Sequence, residues 1–157
     1  MPFFPLVNET QTPVLLSARW IAPSGEKWKN YTFLARKSFS LDRVPAHATV
    51  RVSADSRYAL YLNGNRVGAG PVRGTHKRTF FDSYNVVAGL REGENHLAAE
   101  VHCPVKPVAM AVPPIAPALF VQLEDLVETD SSWQARPDPA HRPEALFYTH
   151  HIGFSDY

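Results

Sequence analysis

The sequence predicts an all-β domain, an antiparallel β-sandwich of jelly-roll type, and three observations carry that expectation. Apolar and polar residues alternate with period two through several short stretches, as half-buried strands require. Turn signals separate those stretches, above all Asn63-Gly64, which supplies the two positive-φ residues of a type I′ hairpin turn, and Gly93 in LREGEN. Fourteen prolines and eight glycines spread over 157 residues leave little room for long helices, because proline removes a hydrogen bond from the helical ladder. About eight short strands joined by such turns fit two stacked sheets, each burying one face.

Taken in order, residues 1–16 hold Pro2, Pro5 and Pro13 and read as an extended lead-in to a single sandwich domain over 17–157. ARWIAP is a strand candidate, and SGEKWKN after it is a polar turn carrying Trp28. YTFLARKSFSL sets Thr32, Leu34, Arg36 and Ser38 against Phe33, Ala35, Lys37, Phe39 and Leu41 on the other side. ATVRVSADSRYALYLNG sends Val50, Val52 and Ala54 inward and groups Tyr58, Leu60 and Leu62 on one face. A two-residue turn then pairs Leu62 with Asn65, Tyr61 with Arg66 and Leu60 with Val67, which puts Tyr61 and Arg66 on the outer face. GAGPVRG is expected to break the strand, and HKRTFFDSYNVV to resume it. HLAAEVH alternates Leu97, Ala99 and Val101 with His96, Ala98 and Glu100. CPVKPVAMAVPPIAPA, with its five prolines, is a long loop. LFVQLED and LVETDSSWQA are strand-like, and RPDPAHRP is a connector. EALFYTHHIGFSDY stops in mid-pattern, as a sandwich cut before a final strand would.

Composition narrows the function classes. Sixteen basic and fifteen acidic residues give a net charge of +1, which provides no footprint for nucleic acid or an anionic membrane surface. No apolar run approaches the roughly 20 residues of a membrane-spanning helix. The start shows no basic n-region and no apolar h-region of a signal peptide, so a cytoplasmic location is favoured. Cys103 is the single cysteine and excludes an intrachain disulfide. His102-Cys103 and His150-His151 are sequence neighbours that point to opposite faces of a strand, so neither pair is expected to chelate zinc, and no metal ligands are assigned. A structural calcium on loop carbonyls and a carboxylate such as Asp55 or Asp82 remains open, without a dense acidic cluster to specify it.

The order and spacing of several motifs resemble the N-terminal β-sandwich domain of bacterial α-L-rhamnosidases, a fold related to galactose-binding-domain-like modules. The matching residues are Ala54-Asp55-x-Arg57-Tyr58, Leu60-Tyr61-x-Asn63-Gly64, Gly70-Pro71-x-Arg73, Asp82-x-Tyr84 and Gly93-x-Asn95, with Trp20, Trp133 and the closing IGFSDY. The resemblance covers most of the chain from Ser17 onward. Phe81, Asn85 and the proline-rich loop at 104–117 depart from it. It implies a glycoside hydrolase parent whose acid and base lie on a helical (α/α) barrel, which this β-rich chain is too short to contain. No catalytic residue is therefore assigned here.

What remains is binding or support. Sugars are held by aromatic faces under their C–H groups and by planar polar side chains on their hydroxyls. Trp28, Tyr61, Arg66, Arg73, Asp55 and Arg57 are the carbohydrate-contact candidates. Asn63 is explained by turn geometry, an Arg73–Asp82 ion pair is favoured over a ligand role, and Trp20, Phe81, Tyr84 and Trp133 are assigned to the core. The apolar loop offers Pro107, Met110, Val112, Pro113 and Ile115 as an interface. The leading expectation is a non-catalytic module that supports a catalytic domain in the same parent chain and helps shape access to its substrate, with contact to carbohydrate such as a rhamnosylated glycan left open. The alternatives are an independent carbohydrate-binding module, or an interaction domain dimerising through 104–117.

Overall fold

A computed structural model describes residues 16–24, 31–55, 57–71, 79–103 and 117–141. Among the described residues nine strands build two antiparallel sheets: β1 (Tyr31–Leu41), β2 (Thr49–Ala54), β3 (Arg57–Leu62), β4 (Asn65–Gly70), β5 (Asp82–Asn85), β6 (Gly93–Cys103), β7 (Leu119–Leu123), β8 (Val127–Glu128) and β9 (Gln134–Pro137). One sheet has five strands in the order β4-β3-β6-β1-β9, and the other has four in the order β5-β2-β7-β8. Val87–Gly89 is a single 3-10 turn, and no α-helix occurs among the described residues.

The alternation seen in the sequence becomes the core. Phe33, Leu60, Leu62, Leu97 and Val101 of the larger sheet face Val50, Val52, Leu119, Val121 and Leu123 of the smaller, all fully buried. Each such side chain contributes about 1.5–3 kcal/mol relative to an exposed one. Trp133 is buried as expected, with its Nε1–H donated to the Glu128 carbonyl at 2.8 Å.

Two polar devices set the corners. Asn63 and Gly64 take φ of 50° and 80°, as a type I′ turn demands. Asn63 does more than turn the chain. Its Nδ2 donates to Gly89 O (2.9 Å) and to Asn95 Oδ1 (2.8 Å), and its Oδ1 accepts from the His96 N–H (2.8 Å). Asn95, fully buried, donates to Arg91 O (2.7 Å) and Gly93 O (3.0 Å) and accepts from the Arg91 N–H (3.0 Å). The LNG and GxN motifs therefore interlock as one clamp between the β3–β4 hairpin and the turn entering β6.

The second device sits under β4. Tyr58 donates its hydroxyl to Asp82 Oδ2 at 2.5 Å, and Tyr84 Oη lies 3.4 Å from it. Space for them comes from β4: a Cβ on Gly68 would lie 2.3 Å from Tyr84 Cζ, and one on Gly70 would lie 2.1 Å from Asp82 Oδ2. Burial, followed by the bond to Asp82, pushes the Tyr58 hydroxyl above the usual tyrosine range, and burial does the same to Tyr84.

Several local expectations are corrected. GAGPVRG does not break the strand at its start, since β4 continues through Gly70 and only then meets a cis Gly70–Pro71 bond. A β-bulge between Leu60 and Tyr61 pairs Leu60 with Gly68 and not with Val67, although Tyr61 still faces Arg66 and Leu62 still faces Asn65. ARWIAP forms only an isolated bridge, Ile21 to Leu119. Trp20 is 47% exposed, tilted against Phe120 on the outer face of the small sheet, and Phe81 is 37% exposed. The Phe120 that Trp20 meets pairs with Ser53, while the neighbouring Leu119, Val121, Val52 and Ala54 point inward.

Candidate functional site

The outer face of the five-stranded sheet carries a trough of about 450 Å³ lined by Arg36, Tyr61, Ala98, Glu100, Gln134 and Arg136, with Leu34 and backbone of the alanine row beneath. Strand register explains how these residues meet. Tyr61 (β3) pairs with Ala98 (β6), Ala98 with Arg36 (β1), and Arg36 with Gln134 (β9), giving one outward row. The next outward row is Ala59, Glu100, Leu34 and Arg136. Beyond it come Arg57, His102 and Thr32. Ala98 leaves a gap between Tyr61 and Arg36, which stand two strand spacings apart, about 10 Å. The inward row below, Leu60, Ala99, Ala35 and Ala135, also has little bulk, so the floor is low where the walls are tall.

The polar groups around the trough divide into two ends. At one, Arg36 Nε donates to Gln134 Oε1 at 2.8 Å, which fixes the guanidinium plane. At the other, the ligand atoms of Glu100, Asp138 and His141 lie within 4.8 Å of one another, and His141 Nδ1 is 2.6 Å from Asp138 Oδ2. The Ala140 N–H, followed by His141, holds the Asp138 carboxyl below the usual range. His102 stands beside this end with Nδ1 at 2.9 Å from Thr32 Oγ1. Burial, then the charges of Arg57 and His141, lower its pKa and favour the neutral ring.

The expected contact residues are only partly brought together. Tyr61 lines the trough, and Arg66 stands opposite it on edge strand β4. Arg57 begins β3 on the same outer face, two residues from Ala59. Asp55 lies elsewhere, at the β2–β3 corner, where its N–H donates to Ala118 O and its carbonyl accepts from Cys103 Sγ at 3.4 Å. Asp82 is engaged by Tyr58 in the interior-facing device described above. Trp28, Arg73, His150, His151 and the loop residues Pro107, Met110, Val112, Pro113 and Ile115 lie outside the described residues. His102 and Cys103 do point to opposite faces: Cys103 is buried, and burial pushes its thiol up to about 12.

Arg36, Glu100, Gln134 and Arg136 were not singled out from the sequence. The signal was available in part, because the period-two reading places Arg36 opposite Phe33 and Ala35, and Glu100 opposite Leu97, Ala99 and Val101. What alternation does not give is the neighbour across the sheet.

With this geometry in hand, likeness to solved structures becomes informative. The GH78 family rhamnosidase of Bacillus sp. GL1 superimposes with a TM-score of 0.71 and 33% identity, over 77% of this chain and 13% of that one. This chain resembles a single domain of a rhamnosidase. The α-L-rhamnosidase of Streptomyces avermitilis, solved with L-rhamnose, matches at 20% identity and a TM-score of 0.62, over 87% of this chain and 13% of that one, and supports the fold alone. A lectin of Pleurotus ostreatus, solved in complex with GalNAc, matches at 26% identity and a TM-score of 0.54, over 87% of this chain and 38% of that one. The rhamnosidase-type sandwich thus spans about an eighth of the enzymes it resembles, at 13% of their length. No protein-family model and no curated protein matches the chain.

Proposed function

We propose that this chain is a non-catalytic β-sandwich module, over 17–157, of an α-L-rhamnosidase-like glycoside hydrolase. It packs against the catalytic domain of its parent and contacts carbohydrate through the trough on the five-stranded sheet. The observation that carries the reading is the 33% identity over 77% of this chain and only 13% of the Bacillus enzyme, a proportion suited to an accessory domain. Chemistry supports it. Glycosidic cleavage needs a carboxyl group held protonated by a raised pKa, and Asp138, which gathers with Glu100 and His141, is pushed the opposite way and does not fit that one role. Tyr61 beside the alanine floor supplies an aromatic face, and Arg36, Gln134 and Glu100 supply planar polar groups for hydroxyls.

The test has two arms. Purified chain incubated with an aryl α-L-rhamnoside gives no release above the uncatalysed background, and turnover abolished by a single carboxylate substitution would overturn the non-catalytic assignment. Calorimetric titration with L-rhamnose and related sugars then asks whether the isolated module binds. The lectin likeness, at 26% identity, favours a second reading, an independent carbohydrate-binding module. That reading requires millimolar or tighter binding by the isolated chain, lost in Tyr61→Ala.

A further inference from the structure

Resting on the reading that the trough contacts carbohydrate, we propose that the sugar it takes carries a carboxylate, a uronate-type unit held between Tyr61, Arg36 and Arg136. Arg36 and Arg136 are diagonal neighbours on β1 and β9, since Leu34 pairs with Arg136 and Arg36 pairs with Gln134. Among the described residues neither forms an ion pair. Two adjacent guanidinium groups repel, and an anion set between them converts that repulsion into charge-assisted hydrogen bonds of fixed, bidentate geometry.

The acids of the face do not meet that need. Glu100 shares an outward row with Arg136, with Leu34 between them, but its carboxylate gathers with Asp138 and His141, and Asp138 already accepts from the Ala140 N–H and pairs with His141. Arg136, two residues from Asp138, feels that carboxylate. Arg36 is anchored only by neutral Gln134. Arg57 and Arg66 stand on Tyr61's side and add positive potential, while His102, near Arg57 and His141, is kept neutral. A pyranose ring laid on Tyr61 over Ala98 extends towards Arg36, the direction in which an exocyclic carboxylate must lie to reach both arginines.

The probes are matched pairs that differ only at C-6: methyl galacturonide against methyl galactoside, and methyl glucuronide against methyl glucoside, titrated into the isotope-labelled chain by NMR. The acid member is expected to bind about tenfold or more tightly, the effect of one charge-assisted contact. It shifts the Ala98 amide and Arg36 Nε–H signals, and the advantage shrinks in high salt and in Arg36→Gln and Arg136→Gln. Both arginines are exposed, so the variants keep the fold, which their melting curves verify. Equal affinity for acid and neutral members, lost together in Tyr61→Ala, overturns the carboxylate inference and leaves the carbohydrate surface standing. No binding of any of the four, nor of L-rhamnose, overturns both.

Discussion

Asn63→Gly separates two accounts of the LNG motif. Glycine tolerates the 50° φ at this position at least as well as asparagine, so a residue serving only the turn would be replaced at little cost. The clamp account differs, because the substitution removes donors to Gly89 O and Asn95 Oδ1 and the acceptor of the His96 N–H. At about 1 kcal/mol for each net hydrogen bond the loss approaches 3 kcal/mol, reduced to about 2 kcal/mol where water reaches the freed groups. Asn95→Ala removes four bonds from a fully buried side chain. Arg91 and Gly93 are exposed and recover part by hydration, so about 2–3 kcal/mol is expected. For a chain of this size that is a fall in Tm of about 5–10 °C. Urea unfolding reads both as a lower midpoint at unchanged slope. The double variant is expected to lose less than the sum, because the Asn63–Asn95 bond is counted in each single change. Asn65→Ala, whose Nδ2 reaches Asn63 O only at 3.5 Å, serves as control and should stay within about 0.5 kcal/mol. Asn63→Gly matching that control would refute the clamp.

Gly68→Ala should cost about 1–3 kcal/mol, measured by thermal melting, because the new methyl meets the buried Tyr84 ring at 2.3 Å. The raised folded pKa of Tyr58 means its neutral form is favoured on folding. That stability is fully present below the unfolded tyrosine value of 10.0 and is lost as pH rises beyond it. Tm should therefore fall above about pH 10, and in Tyr58→Phe this alkaline fall should be smaller, even though its Tm near neutral pH drops with the lost Asp82 bond. Cys103, buried and raised to about 12, should react with a thiol reagent at pH 8 far more slowly in the folded chain than in urea. Equal rates in the two conditions would show that β6 does not shield it.

The sandwich was legible because period two is a one-dimensional signal. Val50, Val52 and Ala54, or Leu97, Ala99 and Val101, name the buried face of their strands without reference to any partner. The misses all needed a second strand. The bulge at Leu60/Tyr61 shifts pairing by one residue, and nothing in LYLNGNRVG marks where the extra residue goes. Gly68 and Gly70 read as strand breakers in the sequence, yet they are inward positions kept empty for the Tyr84 ring and for the Asp82 carboxylate that Tyr58 engages. Side-chain type assigns Trp20 and Phe81 to the core, whereas burial depends on where the backbone sets a residue, and both stand exposed outside the named strands. The trough was partly legible, through Tyr61 and Arg66. Arg36 and Arg136 are 100 positions apart, and only the β1–β9 register brings them side by side.

That division bears on how far family likeness reaches. Apart from Tyr61, which lines the trough, and Arg57 on the same outer face, the residues that carry the resemblance include Tyr58, Asn63, Gly64, Gly70, Asp82, Tyr84, Gly93 and Asn95, and each of these eight is consumed in the clamp or in the tyrosine device. They hold corners and layer spacing, and they contact the trough only through the strands they position. The trough itself is lined by outward residues of β1, β3, β6 and β9, positions that can change without disturbing an inward neighbour because alternate side chains never share a face. A relative can therefore share the clamp and bind a different sugar, or none. The ligand of this chain has to be argued from Tyr61, Ala98, Arg36 and Arg136, and a surface with two arginines at neighbouring strand positions, neither in an ion pair among the described residues, argues for an acidic sugar more strongly than for a neutral deoxyhexose.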